Sequence, residues 1–592
     1  TDLQRRYNRE QRRYETTYSE ISVGCEACHG PAAAHVTQAK ATPRAQFDEQ
    51  KGFARSFSPQ AERQWLFLEG KPIAQLVAGP KDSKASKVDA EALGAERATE
   101  LSACAKCHAL RGDLGGDSLE FDQRYRVELL EDVHYFADGQ IQGEVYEHGS
   151  FLQSKMHAAG VSCSDCHEPH GGTLRAQGNQ LCGRCHSAET FDTPKHHFHM
   201  GKGEATQCVS CHMPSRVYMG VDDRRDHRLG VPRPDLTLEI GVPNACTTAC
   251  HTQPDGRRAA LWAAGEIEKH FGKERPPSFA RAIDAARRVA PGADRLLTEV
   301  INQRDFPAIA RATALLELRN FPSEEPLLWE GYSKDESPLV RRALAQLVAG
   351  WPAPDRVPVA RALLGDPVRT VRLEAVRGLL DGPRTGFSAA EEARFIQVRQ
   401  ELKDSLLANA DQPGALLDLA RMRLLEVGSV EGATKPDAEV EGLFREALAL
   451  DPAFTPVYIN FADYYRVTGR DDHAEVLLKT GIEQVSDPAQ LEHALGLVLV
   501  RLNRPDAALA HLRRAHDLRP ELPRFGFVYA VALFEQGKQR DAIAVLEKLH
   551  SRFEGELQVL DALIQYQRVV GNEARAAELL QKMPGAQGRS PR

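Results

Sequence analysis

All twelve cysteines of the 592-residue chain fall between Cys25 and Cys250, in six pairs, and a histidine directly follows the second member of every pair. Five pairs have the regular two-residue gap: CEACH (Cys25, Cys28, His29), CAKCH (Cys104, Cys107, His108), CSDCH (Cys163, Cys166, His167), CGRCH (Cys182, Cys185, His186) and CVSCH (Cys208, Cys211, His212). The sixth, CTTACH (Cys246, Cys250, His251), carries one residue more. Two thiols three positions apart can each form a thioether with one vinyl group of a haem, and the adjacent histidine then reaches the iron as its proximal ligand. Paired CxxC motifs also hold tetrahedral zinc, and an even cysteine count in an exported protein also suits a disulfide framework. Neither alternative requires the histidine. With 21 histidines in the chain, six such coincidences have a probability on the order of one in a billion. The pattern therefore predicts six haems c, the last across a widened loop that a bulge can absorb.

An iron held by one histidine needs a sixth ligand. Nine further histidines lie in the same segment: His35, His134, His148, His157, His170, His196, His197, His199 and His227. We expect distal ligands mainly among His35, His157, His170, His196, His199 and His227. His170 stands three residues beyond His167, too close to cross the same haem plane, so it is expected to cap a neighbouring haem. Met200, Met213 and Met219 are weaker candidates amid so much histidine. Sites starting at Cys163, Cys182 and Cys208 are so close in sequence that their macrocycles must pack together.

The rest of the chain has no cysteine and a different pattern. From about 256 to 385, Ile309, Val340 and Val371 recur at 31-residue steps, and DESPLVRRALAQL is echoed by DPVRTVRLEAVRGL. This resembles HEAT-type helical repeats. Further on, Gly469, Asn503, Gly537 and Gly571 are 34 residues apart, and Ala474, Ala508, Ala542 and Ala576 keep the same step. Ala462, Gly496 and Ala530 mark a position where paired helices approach closely, and Pro452, Pro488 and Pro520 sit near repeat ends. That period resembles tetratricopeptide repeats, whose stacked helices commonly bind a peptide or partner protein but can equally be a structural arm.

The predicted fold class is mainly α: a loop-rich multihaem cytochrome domain at 1–255, HEAT-like helical repeats at 256–385 and tetratricopeptide repeats at 386–592, the last two forming an α-solenoid. A formal charge of −8 gives no footprint for nucleic acid. No apolar run is long enough to span a bilayer as a helix. The opening TDLQRRYN has neither an initiator Met nor an apolar signal segment.

Three runs sharpen the reading: SEISVGCEACHGPAAAH, YFADGQIQGEVYEHGSFLQSKMHAAGVSCSDCHEPHG and HHFHMGKGEATQCVSCHMPSRVYMGVDDRRDH. They resemble bacterial multihaem c-type cytochromes with C-terminal tetratricopeptide repeats, whose haem domains are related to the tetrahaem cytochrome of hydroxylamine oxidation. The resemblance implies an electron-transfer protein, located in the periplasm or at the cell surface, that docks redox partners through its repeats; an oligomer is compatible with it. It also implies CxxCH sites upstream, so the sequence is expected to be a fragment of a protein with about eight haems. CTTACH departs from that family's usual spacing. Two other functions stay open. One is a multihaem oxidoreductase acting on a small nitrogen or sulfur oxyanion, with His134, His148, Arg224 and Arg225 as possible lining. No CxxCK occurs, so the lysine-ligated haem of the related nitrite reductases has no counterpart here. The other is a subunit of a haem-bearing filament. No catalytic residue is assigned, and an electron carrier is favoured over a reductase.

Overall fold

A computed structural model of the chain describes residues 3, 5–41, 51–55, 57, 63–78, 90–252, 254–321, 329–428 and 435–583. Thr1, Asp2 and Gln4 of the opening run lie outside them. The chain is mainly helical. Its described strands form five two-stranded antiparallel ribbons, all before residue 226: Tyr7–Asn8 with Arg13–Tyr14, Arg63–Leu66 with Gln75–Ala78, Arg111–Asp113 with Tyr125–Val127, His167–Glu168 with Thr173–Leu174, and Ser215–Tyr218 with Asp222–Arg225.

The C-terminal helices follow the repeats legible in the sequence. Ala308–Glu317 packs on Pro338–Val348, which packs on Arg369–Arg377. Ile309, Val340 and Val371 are buried at equivalent points of these three helices, each contributing about 1.5–3 kcal/mol of apolar burial. Beyond them, Thr455–Val467 pairs with Asp471–Gln484, Ala489–Arg501 with Pro505–Leu518, Pro523–Glu535 with Gln539–Arg552, and Leu557–Val569 with Glu573–Leu580.

The turn inside each pair explains the 34-residue step. Gly469, Asn503, Gly537 and Gly571 all have positive φ, at 70°, 57°, 74° and 81°. After each, the next residue's N–H returns to the helix it has just left: Arg470 to Tyr465 O, Arg504 to Leu499 O, Lys538 to Leu533 O and Asn572 to Gln567 O, at 2.7–2.9 Å. This is a Schellman-type end, in which a left-handed residue closes the helix, and only Gly or Asn adopts it cheaply. The alanines five residues later are 0–1% exposed. At Gly496 the helices touch: a Cβ there would lie 2.6 Å from Leu512 Cγ.

The solenoid is also the floor of the N-terminal half. One hydrophobic core joins Leu129, Leu130, Tyr135, Ile141 and Val145 to helices running from Phe279 to Ala375, and a second overlaps it from Ala360 onward. The hydrocarbon core is thus continuous across residues 255 and 385. Polar groups seal the same contact. Arg342, 3% exposed, donates to Val127 O at 2.7 Å, and burial, then the nearby Arg126 charge, pushes its guanidinium down to about 10. Arg287 donates to Leu130 O and Tyr135 O, and Arg369 to Gly115 O. The first hairpin clamps the solenoid further along: Arg5 pairs with Asp411, Tyr14 donates to Asp411, and Arg9 grips Glu446 with two bonds. No described helix is long and apolar enough to cross a membrane.

Candidate functional site

Each cysteine pair lies in or at the end of a helical segment. Cys25–His29 and Cys208–His212 are one-turn helices, and Cys104 and Cys107 end the longer Ala90–His108. In Cys163–Cys166 the His167 N–H donates to Cys163 O, and in the fourth motif the His186 N–H donates to Cys182 O. The same bond, from histidine N–H to first-cysteine carbonyl, recurs in the irregular motif: His251 N donates to Cys246 O at 2.8 Å. Cys246–Cys250 achieves it as a single π turn. The additional residue is absorbed by an i→i+5 bond in place of i→i+4, a bulge of the kind common at functional sites. Buried Asn244 holds this turn. Its Oδ1 accepts from Cys246 N and Thr247 N at 3.1 Å, and its Nδ2 donates to Thr237 Oγ1 at 2.8 Å. A hairpin pins the fourth motif, with Ala74 N donating to Cys185 O and Ser187 N to Pro72 O.

Four of the six motif histidines face a second imidazole. His29 faces His170 at 6.3 Å between ring centroids, His167 faces His227 at 6.4 Å, His212 faces His196 at 6.1 Å, and His251 faces His199 at 6.0 Å. Their ring planes differ by 2°, 25°, 13° and 32°. A metal–nitrogen bond of about 2.0 Å, with each centroid about 1.1 Å behind its nitrogen, puts two trans imidazoles about 6.2 Å apart. The four pairs therefore stand at the separation of two histidines on one iron. Several rings are also oriented from behind, as metal-binding histidines are. Nδ1 donates to a backbone carbonyl in His29 (Arg55 O, 3.3 Å), His212 (Gly230 O, 2.9 Å), His227 (Arg225 O, 3.0 Å) and His199 (His197 O, 2.5 Å). That leaves Nε2 for the metal.

The other expected ligands have different surroundings. His35 donates from Nδ1 to Lys51 O at 2.6 Å and stacks on Phe53. His157 sits in a short helix capped by Ser154, its ring edge-on to Phe151 at 5.4 Å. His108 is held by the Glu147 carboxylate at 3.0 Å. His186 stands edge-on to Phe191. His148, which burial drives down to about 4, lies beside Phe121. His197 faces His199. Met200 and Met219 are exposed.

The motifs neighbour one another in chain order. Cys28 lies in electrostatic contact with Cys104 and Cys107, and the Cys104 and Cys163 thiols hydrogen-bond each other. Cys166 lies beside Cys182 and Cys185, Cys182 beside Cys208, and Cys211 beside Cys246 and Cys250. Glu100, Cys104 and Cys163 gather within 4.8 Å, the one such group among the described residues, so no four-cysteine zinc cage forms there. Burial pushes the Cys28, Cys166 and Cys211 thiols up, and those of Cys185 and Cys246 up to about 11.

Glu147 and Asn244 were not singled out in the sequence. An Asn two residues before a helical turn is a legible capping signal; Glu147 has none, because its target lies 39 residues away.

The doubled CXXCH motif family matches residues 156–191, spanning the third and fourth motifs, and so assigns c-type haem binding there. A comparison with curated proteins finds no match. Among solved structures, the chain is similar to YrrB, a TPR protein with an unusual peptide-binding site, at 20% identity over 29% of this chain and 86% of that one, TM-score 0.23. It is similar to PilW, a type IV pilus biogenesis factor, at 19% identity over 34% and 92%, TM-score 0.27. It is similar to PilF of Pseudomonas aeruginosa at 18% identity over 39% and 97%, TM-score 0.26. Likenesses at this level carry no functional assignment.

Proposed function

We propose that the chain is a multihaem c-type cytochrome that passes electrons along six covalently attached haems, ordered along the chain from Cys25 to His251. The observation that carries this reading is the set of four opposed histidine pairs at 6.0–6.4 Å, joined by contacts between successive cysteine pairs. The haem supplies the one-electron chemistry; the protein fixes where each one sits. The paired cysteines would carry it, His29, His108, His167, His186, His212 and His251 would ligate its iron, and His170, His227, His196 and His199 would supply a second histidine at four of the six sites. A site closed on both faces by histidine leaves no position for substrate, which favours electron transfer over reduction of a nitrogen or sulfur oxyanion. His35 and His157 remain proposed ligands.

The cytochrome half rests on HEAT-type repeats, and the tetratricopeptide arm beyond offers a surface for a redox partner protein. The same reading relates the haem-bearing half to the tetrahaem cytochrome of hydroxylamine oxidation, and places the protein in the periplasm or at the cell surface, where c-type haem is attached. Spectroscopy of the purified holoprotein tests it. Low-spin spectra unperturbed by carbon monoxide are expected at the four closed sites; carbon monoxide binding to most of the haems would overturn the carrier reading.

A further inference from the structure

We propose that Glu147 is a positioning residue that makes the second haem site the lowest-potential member of the array. The inference rests on the cytochrome reading above. Among the described histidines of the array, the rings of His29, His199, His212 and His227 donate from Nδ1 to neutral backbone carbonyls. His108 instead donates to a carboxylate, Glu147 Oε2, at 3.0 Å. The nearest comparison, Glu168 beside His170 Nδ1, is 3.5 Å away, beyond hydrogen-bond length, and accepts from the His170 backbone N–H at 3.2 Å.

The carboxylate is held in place by its helix. Glu147–Phe151 is short, but Gly149, Ser150 and Phe151 are buried. Gly149 lets that helix lie directly on Tyr135: a Cβ there would stand 2.5 Å from the Tyr135 hydroxyl. A carboxylate on Nδ1 draws the ring proton toward itself and makes the other nitrogen a stronger donor. A stronger, more anionic donor favours ferric over ferrous iron, so the site gives up its electron more readily than its neighbours. Site two lies between sites one and three, since Cys28 adjoins Cys104 and Cys107, and Cys104 adjoins Cys163. Electrons crossing the array from either end thus meet a step at His108.

The test is a spectroscopic redox titration of the holoprotein and its Glu147→Gln variant. The substitution keeps the side chain's size and an acceptor oxygen but removes the charge. We expect one component of the titration to rise by about 59 mV or more, a tenfold change for a one-electron couple, with the others unmoved. Unchanged potentials in a variant carrying its full haem complement would overturn the proposal. The oxidised wild-type protein gives a second readout that does not depend on the variant folding. Its reductive titration should show one component below all the others, and a titration without a distinct lowest component would overturn it too. A wild-type protein that carries no covalent haem would instead remove the underlying reading.

Discussion

His170 faces His29 across a gap of 6.3 Å with the two ring planes 2° apart, although 141 residues of chain separate them. If that gap holds iron, replacing His170 with alanine opens one face while Cys25 and Cys28 still anchor the haem. The expected result is an unchanged haem count, a new high-spin band, and binding of carbon monoxide at one site. A variant that stays wholly low-spin would mean that another residue closes the site.

The irregular sixth motif depends on Asn244. Removing its side chain leaves Cys246 N and Thr247 N without their cap, a loss of about 0.5–2 kcal/mol in the local turn. Asn244→Ala is therefore expected to lower haem occupancy at Cys246 and Cys250 while the five regular sites stay full. Peptide mass mapping of haem-bearing fragments checks this.

Arg342 ties the two halves together. Its loss leaves Val127 O, already buried, without a partner, at a cost of about 1–3 kcal/mol. Arg342→Ala should lower the denaturant midpoint and speed hydrogen exchange in residues 111–145, with little change in exchange beyond residue 450.

Acid should loosen the distal arm. His493 and His550 are buried with both ring nitrogens lacking a protein partner among the described residues. Burial lowers both, His493 to about 4. The unfolded chain takes up a proton near the ordinary histidine value of about 6.5 and the folded chain does not. Stability is therefore full above that value and falls as pH drops toward 4, by about 3 kcal/mol for His493. Thermal melts between pH 7 and 4 should show the fall, and His493→Leu should flatten it.

What could be read in advance divides along physical lines. The cysteine–histidine pairs and the 34-residue step are local in the chain, and both are written in residue type and spacing. The positive φ at Gly469 and Asn503 and the burial of Ala474 and Ala508 follow from that step. The pairing of His227 with His167, or of His199 with His251, depends on tertiary approach that no spacing encodes. The segment 129–145 lies in the part read as loop-rich, yet Leu129, Leu130 and Tyr135 enter the solenoid core because helices some 150–200 residues later present a complementary face. The clamp of Arg5 and Arg9 on Asp411 and Glu446 was equally silent, since isolated surface charges carry no address. The gap in CTTACH was ambiguous as sequence; the π turn resolves how its ends are kept together.

Mass spectrometry of the intact, denatured holoprotein tests the central claim most directly, because covalent haems survive denaturation and are counted one by one. The account expects this chain to carry six, with both Cys246 and Cys250 consumed. A chain with no covalent haem, or with zinc or disulfides at the paired cysteines, would contradict it.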